Sequence, residues 1–393
     1  MAENNVLTGL IPVLYEKMNV VSRELTGFIP AVTLSATAER AALNQSITGF
    51  TAPAATSEDD TPTMVPAAAN GKTFTPKALT LSKAKKVRIP FAAEEVKSLE
   101  ANGIGGVSPF TANAIEEAYR TILNEFDSDI GTTAMLASRA YGAAATAPFG
   151  TNLTEAAYIR KILVDNGAGE GDLQLVIDTI AGAKMRSLTQ LNSANSAGND
   201  SLLRQGVLGD IMGLTIRESA HVKSKTAGTM ANATTTAVGY AVGATRIYLT
   251  NAVGTGVVSA GDVVYFGTDT TNKYVISAVS FAGANPATGD YIDLQAPGLM
   301  VALSAAQNAI TVTATHTCGA AFKRSAIWAG FRPPARDMIM KDQAIDWTLV
   351  TDPRTGLTME AAIYPGHGMA EMWIRAVWGT LAFKNEHIAR LIS

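Results

Sequence analysis

The residues of this chain that are best suited to chemistry are few and widely spaced. Four histidines occur in 393 residues, at His221, His316, His367 and His387, and none forms an H-E-x-x-H pair. A zinc hydrolase places two histidines one helical turn apart, so this spacing does not indicate a metal site. His316 and Cys318 are two residues apart and would face the same side of a strand. A thiolate–imidazole pair also needs an orienting partner and a cleft, so we predict a packed strand end here.

The glycine-rich stretch at 202–222, LLRQGVLGDIMGLTIRESAHV, is the sequence most like a phosphate-binding loop. Such a loop has its glycines after a strand and before a helix, because the helix N-terminus faces the phosphate. Here the glycines precede the strand that we predict at 213–217, and GAGEG at 167–171 follows a predicted helix. No G-x-x-x-x-G-K-[ST] sequence occurs. We therefore interpret these glycines as turn and close-packing residues.

Two clusters of charged side chains interrupt a sequence that is otherwise poor in charge. An acidic cluster lies at Glu58, Asp59 and Asp60, and the basic run KAKKVR begins at Lys83. The basic run could bind nucleic acid, but lysines also protect a strand edge from unwanted pairing, or they could contact an acidic neighbour. The other acidic residues are scattered, and no G-x-S-x-G sequence occurs. We predict no catalytic residue, no cofactor and no metal.

The composition favours a protein whose surfaces are covered by other copies. Apolar residues make up 47% of the chain and charged residues 17%, against roughly a quarter charged in an average soluble domain. An alanine-rich monomer is the alternative explanation. The net charge of -3 argues against a dedicated nucleic-acid binder, which would carry a basic excess.

The same sequence predicts a soluble chain that stays in the cytoplasm. No apolar run approaches the roughly 18 residues of a membrane span, and Glu3 stands where a signal peptide would carry positive charge. Cys318 is the single cysteine, so no disulfide can form within the chain. Stability must therefore come from packing and association.

The first third of the chain predicts two helices with a long hairpin between them. Apolar spacing predicts a helix at 6–25, and two extended arms between 43 and 96 flank a centre rich in Pro, Ala and Thr. We predict a projecting hairpin; a disordered linker is the alternative. The clearest helix is predicted from about 110 to 140, with Ser108 as N-cap and Gly142 as its stop. Its apolar stripe consists of Ile115, Ala118, Ile122, Phe126 and Ile130.

The rest of the chain alternates between mixed and all-β patterns. A helix is predicted at 154–165, followed by a strand, LQLVID, and a helix, TIAGAKMRSLTQL. From 223 to 318 the short strands TRIYLTN, GDVVYFGT, KYVISAVSF, DYIDLQAP and AITVTATHT indicate a small sandwich or barrel. Its predicted core is Ile247, Leu249, Val264, Phe266, Val275, Ile276, Ile292, Leu294 and Val312. We predict a helix in AAFKRSAIWAGFRPP, then a hairpin of LTMEAAIY and EMWIRAVWGTLAF.

These elements, in this order, resemble the major capsid (coat) protein of tailed bacteriophages, the Hong Kong 97 type of fold. FTPKALTLSKAKKVRIPFAAEEV is similar to the family's returning extended-loop strand, and LLRQGVLGDIMGLTIRESAHV to part of its axial domain. AAFKRSAIWAGF and WGTLAFKNEHIARL are similar to its last helix and final peripheral strand. AGDVVYFG, KYVISAVSF and DYIDLQAP are similar to strands of the β-barrel inserted in podophage coat proteins.

The resemblance implies an α+β tailed-phage capsid fold with an inserted small all-β barrel. It divides the chain into an N-terminal arm (1–43), an extended-loop hairpin (44–96), a spine helix with peripheral domain (97–150), an axial domain (151–222), an inserted β-barrel domain (223–318), a second part of the axial domain (319–357) and C-terminal peripheral strands (358–393). The lysine and asparagine that crosslink some shells of the family cannot be matched here, so crosslinking is not predicted.

The function that the resemblance implies is structural. Pentamers and hexamers of the chain would close into an icosahedral head around double-stranded DNA, in the virion, after assembly in the host bacterial cytoplasm. The implied partners are other copies, a separate scaffolding protein and a portal protein. The predicted subunit contacts are Glu58, Asp59, Asp60, Lys83, Lys85 and Lys86. An encapsulin-like compartment shell, a carbohydrate-binding surface protein and an uncharacterised enzyme are the alternatives.

Overall fold

The computed structural model describes most of the chain from residue 26 onward. The described residues are 26–36, 39–51, 57, 74–92, 108–169, 171–192, 208–250, 254–281, 285–336, 344–366 and 369–393. The predicted helix at 6–25, the acidic cluster at Glu58, Asp59 and Asp60, and His367 lie outside them. The α-helices of the described residues are α1 (Ser108–Ala134), α2 (Thr154–Asp165), α3 (Thr179–Ser187) and α4 (Thr189–Asn192).

Strands make up much of the remaining described chain. In chain order they are β1 (Thr33–Ala36), β2 (Ser46–Thr51), β3 (Thr75–Thr80), β4 (Lys83–Ala92), β5 (Arg139–Gly142), β6 (Leu173–Ile177), β7 (Asp210–Ile211), β8 (Leu214–Glu218), β9 (Ser224–Lys225), β10 (Thr234–Thr235), β11 (Arg246–Thr250), β12 (Val263–Phe266), β13 (Asp269–Val279), β14 (Tyr291–Leu294), β15 (Ile310–Val312), β16 (His316–Lys323), β17 (Ile327–Arg332), β18 (Asp346–Thr351), β19 (Thr358–Gly366), β20 (Met369–Ala382) and β21 (Ile388–Ile392).

The first sheet is built around the long strand β20. Strand β4 pairs along one edge of β20, while β19 and β17 pair end to end along the other. Strand β18 lies outside β19, and β1 runs parallel to β17. The predicted C-terminal hairpin is confirmed as β19 and β20, which pair antiparallel from Glu360 opposite Arg375 to Gly366 opposite Met369.

Helix α1 covers one face of this sheet. Every residue of its predicted apolar stripe is buried, and these side chains share one core with Ile374 and Trp378 of β20. The helix is about 40 Å long at 1.5 Å per residue, but it ends at Ala134 and not near 140. Residues 139–142 form β5 instead, because they pair in parallel with β21. Gly142 ends that strand, at a φ of +119°.

The second sheet carries α2 and α3. Its central strands run in the order β5, β21, β16, β6, β8, β7, and the two helices pack on it through a core that includes Ile159, Leu163 and Met185. The helix predicted in AAFKRSAIWAGFRPP is wrong: residues 316–332 form β16 and β17, joined by a 3-10 turn at Arg324–Ala326. Strand β16 pairs on both edges and is buried nearly throughout. Its sequence therefore lacks the alternation of apolar and polar residues that would identify a half-exposed strand.

The segment from 223 to 318 has a core of its own. Strand β10 pairs with β11, β11 with β14, β14 with β13, β13 with β12 and β12 with β15. A bridge between Thr234 and Ala309 then returns to β10, so the pairings form a closed circuit. All the predicted core residues except Val275 pack together inside this circuit of strands. Val312 is only half-buried there. Val275 is buried in the core of α1 instead, because β13 is buried on both faces.

This segment leaves and rejoins the second sheet at one place. Lys223 O accepts a hydrogen bond from Cys318 N at 2.8 Å, and β9 pairs with the start of β16. Strand β13 also pairs with β5, through Lys273 opposite Ala140 and Tyr274 opposite Arg139. The segment is therefore attached by strand pairing as well as by its two chain connections.

The two arms predicted between 43 and 96 form a hairpin whose second arm continues into the first sheet. Strand β2 pairs antiparallel with β3 from Ser46 opposite Thr80 to Thr51 opposite Thr75. After a break of two residues the chain becomes β4. A disordered linker is therefore wrong for residues 46–51 and 75–80.

Candidate functional site

The β2–β3 hairpin is fixed to the first sheet by aromatic packing around the pair Gly49 and Lys77. A Cβ atom on Gly49 would lie 2.6 Å from Cη2 of Trp328, so only glycine permits this approach. The Trp328 ring stacks on Phe383 at a centroid distance of 4.2 Å. Lys77 Nζ donates a hydrogen bond to Phe383 O at 2.6 Å. Together these contacts fix the hairpin's direction relative to the sheet.

The inner side of the hairpin packs against a small residue of β17. Leu79 and Leu81 are fully buried, and a Cβ atom on Gly330 would lie 2.9 Å from Leu81 Cδ2. Ile47 approaches the same glycine. The base of the hairpin is thus part of the subunit core, which is why it holds its position without a core of its own.

Two phenylalanines are exposed where the described part of the hairpin ends. Phe50 is 67% exposed and Phe74 is 58% exposed. They lie on β2 and directly before β3, next to the paired residues Thr51 and Thr75. Phenylalanine is enriched in protein–protein interfaces relative to the rest of the surface. This end of the hairpin is the first part of the candidate site.

Strand β4 forms the second part, as an edge strand of the first sheet. On its helix-facing side Lys83 Nζ lies 2.7 Å from Asp129 Oδ1. Asp129 Oδ2 accepts a hydrogen bond from Trp378 Nε1 at 2.8 Å, and Lys85 Nζ lies 3.2 Å from Glu125 Oε1. These pairs join the edge strand to α1 and to β20.

The other side of β4 carries a cation–aromatic cluster. Lys86 Nζ lies 3.5 Å from the centroid of the Trp373 ring. Arg88 pairs with both carboxylate oxygens of Glu371, which also accepts a hydrogen bond from Trp373 Nε1 at 2.7 Å. The hydrogen bonds from Arg88, and then that from Trp373, lower the pKa of Glu371. The carboxylate therefore stays ionised and holds the cluster in place.

The structure thus locates half of the predicted contact residues. Lys83, Lys85 and Lys86 lie on the sheet edge, as expected for lysines that protect an edge strand, and each contacts its own chain. That they also contact another subunit stays a prediction. Sequence reasoning missed Phe50 and Phe74; the signal was the presence of aromatic residues at both ends of a segment with few apolar residues.

The predicted packed strand end at His316 and Cys318 is confirmed. Both residues are buried, His316 Nδ1 lies 2.8 Å from Ala314 O, and Cys318 Sγ donates to His316 O at 3.9 Å. Burial lowers the pKa of His316 and raises the pKa of the Cys318 thiol. A buried neutral thiol is not a nucleophile. Within the described ranges, no group of three His, Cys, Asp or Glu side chains could hold a metal ion.

The described part of the glycine-rich stretch, 208–222, contains the predicted turn, whereas Gly206 lies outside the described residues. Met212 and Gly213 have positive φ values of +53° and +75° and connect β7 to β8 as a two-residue hairpin turn. Turns of this kind favour glycine because both central residues are left-handed. Of the helices that the structure describes, none is long and apolar enough to cross a membrane.

Comparison with known proteins gives matches of structure and none of sequence. No protein-family model matches the chain, and no curated protein matches it. A solved structure of Mycobacterium phage Che8 is similar to it at a TM-score of 0.48 and 13% identity, over 94% of this chain and 92% of that one. The capsid of cyanophage P-SCSP1u is similar at a TM-score of 0.47 and 9% identity, over 94% and 89%. A virus-like particle from Pyrococcus furiosus is similar at 0.43 and 7%, over 98% of both chains.

Proposed function

We propose that this chain is the structural subunit of a closed shell, the icosahedral head of a bacteriophage that encloses double-stranded DNA. The observation that carries the proposal is the hairpin, which packs on Trp328 through Gly49 and exposes Phe50 and Phe74 where its described part ends. Two strands alone cannot bury such side chains. A second copy supplies the surface that covers them.

The composition supports the same assignment. A chain with 17% charged residues has much weakly solvated surface, and repeated contacts between copies would cover it. A net charge of -3 is also suited to a container for DNA, because the phosphate backbone is not held by a basic inner surface. The packaged DNA can then enter and leave.

In this proposal the chain has the seven segments inferred from its sequence, with 223–318 as an inserted β-barrel domain. The closed circuit of strand pairings and the separate core of that segment support this view. Helix α1 is the spine, and β19, β20 and β4 belong to the peripheral domain. Pentamers and hexamers assemble with a separate scaffolding protein and a portal protein in the bacterial cytoplasm, and the mature protein is part of the virion.

Two other functions make different predictions. An encapsulin-like shell would have the same subunit contacts but would contain protein cargo. A carbohydrate-binding surface protein is favoured by one observation: Tyr248 is 44% exposed, its ring lies 6.0 Å from that of Tyr291, and Arg246 lies 3.9 Å from the Tyr291 ring centroid. Aromatic side chains of this kind can stack on sugar rings.

Electron microscopy of the purified full chain tests the proposal directly. We expect uniform closed particles, or rings of five or six subunits, with scaffolding protein required for correct size. Particles made in infected cells should contain double-stranded DNA, whereas protein cargo would indicate a compartment. Monomers that bind a glycan would contradict the shell and favour the carbohydrate-binding alternative.

The hairpin contact has its own test, in the acidic cluster between the two arms. Reversing Glu58, Asp59 and Asp60 to lysine should weaken assembly. The neighbouring surface would complement the acidic side chains, so it would repel the lysines that replace them. Sedimentation should show smaller assemblies at unchanged circular dichroism. The matched control is the neutral triple variant Glu58→Gln, Asp59→Asn and Asp60→Asn, which should have a smaller effect. A reversal that unfolds the subunit would place these residues in a core and contradict the hairpin contact.

A further inference from the structure

A surface cavity of about 410 Å³ lies where the 223–318 segment meets the second sheet. Its walls come from β5 and the turn that follows, from the first turns of α2, from β13 and from the end of β21. It therefore adjoins the place where β13 pairs with β5.

One wall of the cavity is a flat aromatic surface. Tyr141 of β5 and Tyr158 of α2 stack with their ring centroids 4.5 Å apart and their planes within 5°. Tyr158 remains 42% exposed. Burial is the largest influence that raises the pKa of Tyr141, followed by the electrostatic effects of Tyr158 and Glu155. The Tyr141 phenol is therefore neutral. Tyrosine is among the residues most enriched at the centres of protein interfaces.

Two charged groups line the same cavity without neutralising each other. Glu155 Oε2 is buried and accepts no hydrogen bond from the described residues. Lys273 Nζ donates to Gly142 O, and burial lowers the pKa of this lysine, with no carboxylate to raise it. Among the described residues, Glu155 Oε2 therefore has no donor and no carboxylate acts on Lys273. Both side chains are partly buried at the cavity wall, so an occupant that excluded the remaining water would have to supply a partner for each charge.

We propose that this cavity is a socket for a second copy of this chain, which places a basic side chain against Glu155 and an acidic side chain against Lys273. This rests on the proposed function, because only an ordered assembly holds a second copy at a constant position. The charge pattern supports an occupant that carries both signs. A polypeptide surface with 31 basic and 34 acidic residues in 393 can present such a pair, and the exposed face of Tyr158 supplies the apolar contact.

Chemical labelling tests the occupant in the intact protein. Acetic anhydride is applied to the full chain, as free subunits and as purified particles, and acetylation of Lys273 is measured by peptide mass spectrometry. We expect about tenfold less labelling of Lys273 in particles, while exposed Lys184 outside the cavity serves as the reference. Equal labelling of Lys273 in both states would mean a solvent-filled cavity and would overturn the proposal.

A second measurement separates a neighbouring copy from a small molecule. A lysyl-glutamate dipeptide, added to free subunits, should not protect Lys273 at micromolar concentration. Full protection at that concentration would identify the cavity as a site for a free zwitterion and overturn the assignment to a second copy.

Neutral variants then test the contribution of each charge to assembly. Glu155→Gln and Lys273→Met should each reduce the association constant for assembly about tenfold or more, with circular dichroism unchanged. The matched controls Glu117→Gln and Lys184→Met should not. Variants that assemble like the wild type would refute the socket while leaving the shell intact. A wild-type chain that never assembles would instead refute the proposed function itself.

Discussion

Asp127 is a buried carboxylate at the centre of the subunit, and its removal gives a prediction that can be worked through in detail. It lies on α1 with no exposed surface. Its Oδ1 accepts hydrogen bonds from Phe28 N at 3.0 Å and Ile29 N at 2.9 Å, and its Oδ2 accepts one from Ser219 Oγ at 2.7 Å. One side chain thus joins the N-terminal segment, the long helix and the loop after β8.

The expected cost follows from the donors that would lose their acceptor. Asp127→Ala leaves two buried backbone N–H groups without a partner, at roughly 1–3 kcal/mol each, while the Ser219 hydroxyl can rotate. We expect a local destabilisation of about 3 kcal/mol. Asp127→Asn keeps a carbonyl oxygen for both N–H groups and can donate to Ser219, so its cost should be about 1 kcal/mol.

The cost of the asparagine variant should also depend on pH. Burial is the largest influence on Asp127 and raises its pKa, so the folded state holds this proton more tightly than the unfolded state does. The resulting stabilisation is present below the unfolded pKa and is lost as the pH rises through the raised folded value. Asp127→Asn does not titrate, so its deficit relative to the wild type should be smaller at neutral pH than at about pH 4.

Hydrogen exchange of the Phe28 and Ile29 amides is the direct assay, because it reports local opening. A loss of about 3 kcal/mol corresponds to exchange roughly 100-fold faster in Asp127→Ala, and Asp127→Asn should accelerate it only about fivefold. Thr121→Ala, at an exposed position on the same helix, is the control and should leave these amides unchanged. Unaltered exchange in the alanine variant would refute the assignment of Asp127 as their acceptor.

Three further predictions test the segment 223–318, the packing of Gly49 on Trp328 and the buried histidine His316. The isolated 223–318 fragment should unfold cooperatively by circular dichroism, and Phe266→Asp should abolish the transition because it buries an unpaired charge; a folded variant would contradict the core described here. Gly49→Val should displace the hairpin from Trp328 and speed proteolysis of residues 52–73, whereas unchanged cleavage would contradict the packing. Since burial lowers the pKa of His316, stability should fall as the pH drops below about 6.5. His316→Leu should show a smaller loss of Tm between pH 7.5 and 5.5, and an equal loss would exclude His316 as the cause.

The parts of the fold that sequence predicts well are those whose pattern is local. Helix α1 is buried on one face and exposed on the other, so the spacing of Ile115, Ile122 and Phe126 shows both the helix and its buried side. Strand β11 alternates for the same reason, with Ile247 and Leu249 buried and Tyr248 exposed. In each case one face is exposed to solvent and the other is buried, so apolar residues recur at the spacing of the helix or strand.

The parts that sequence predicts poorly lack such a face or depend on distant residues. Strand β16 is buried on both faces, so Phe322 and the alanines around it fit a helical period as well as a strand. The core predicted for Val275 is wrong because neither face of β13 is solvent-exposed at that point. The approach of Gly49 to Trp328 joins residues far apart in the chain. No local pattern distinguishes that glycine from one in an ordinary turn.

The pairing of β13 with β5 has a consequence for any attempt to remove the 223–318 segment. The two chain connections lie side by side at Lys223 and Cys318, so a short linker would rejoin them without straining the second sheet. Excision would nevertheless uncover the edge of β5, where Arg139 and Ala140 now pair with β13. A bare edge beside apolar strands invites pairing between molecules. A shortened chain would therefore need a charged or proline residue on β5 to remain free of aggregates.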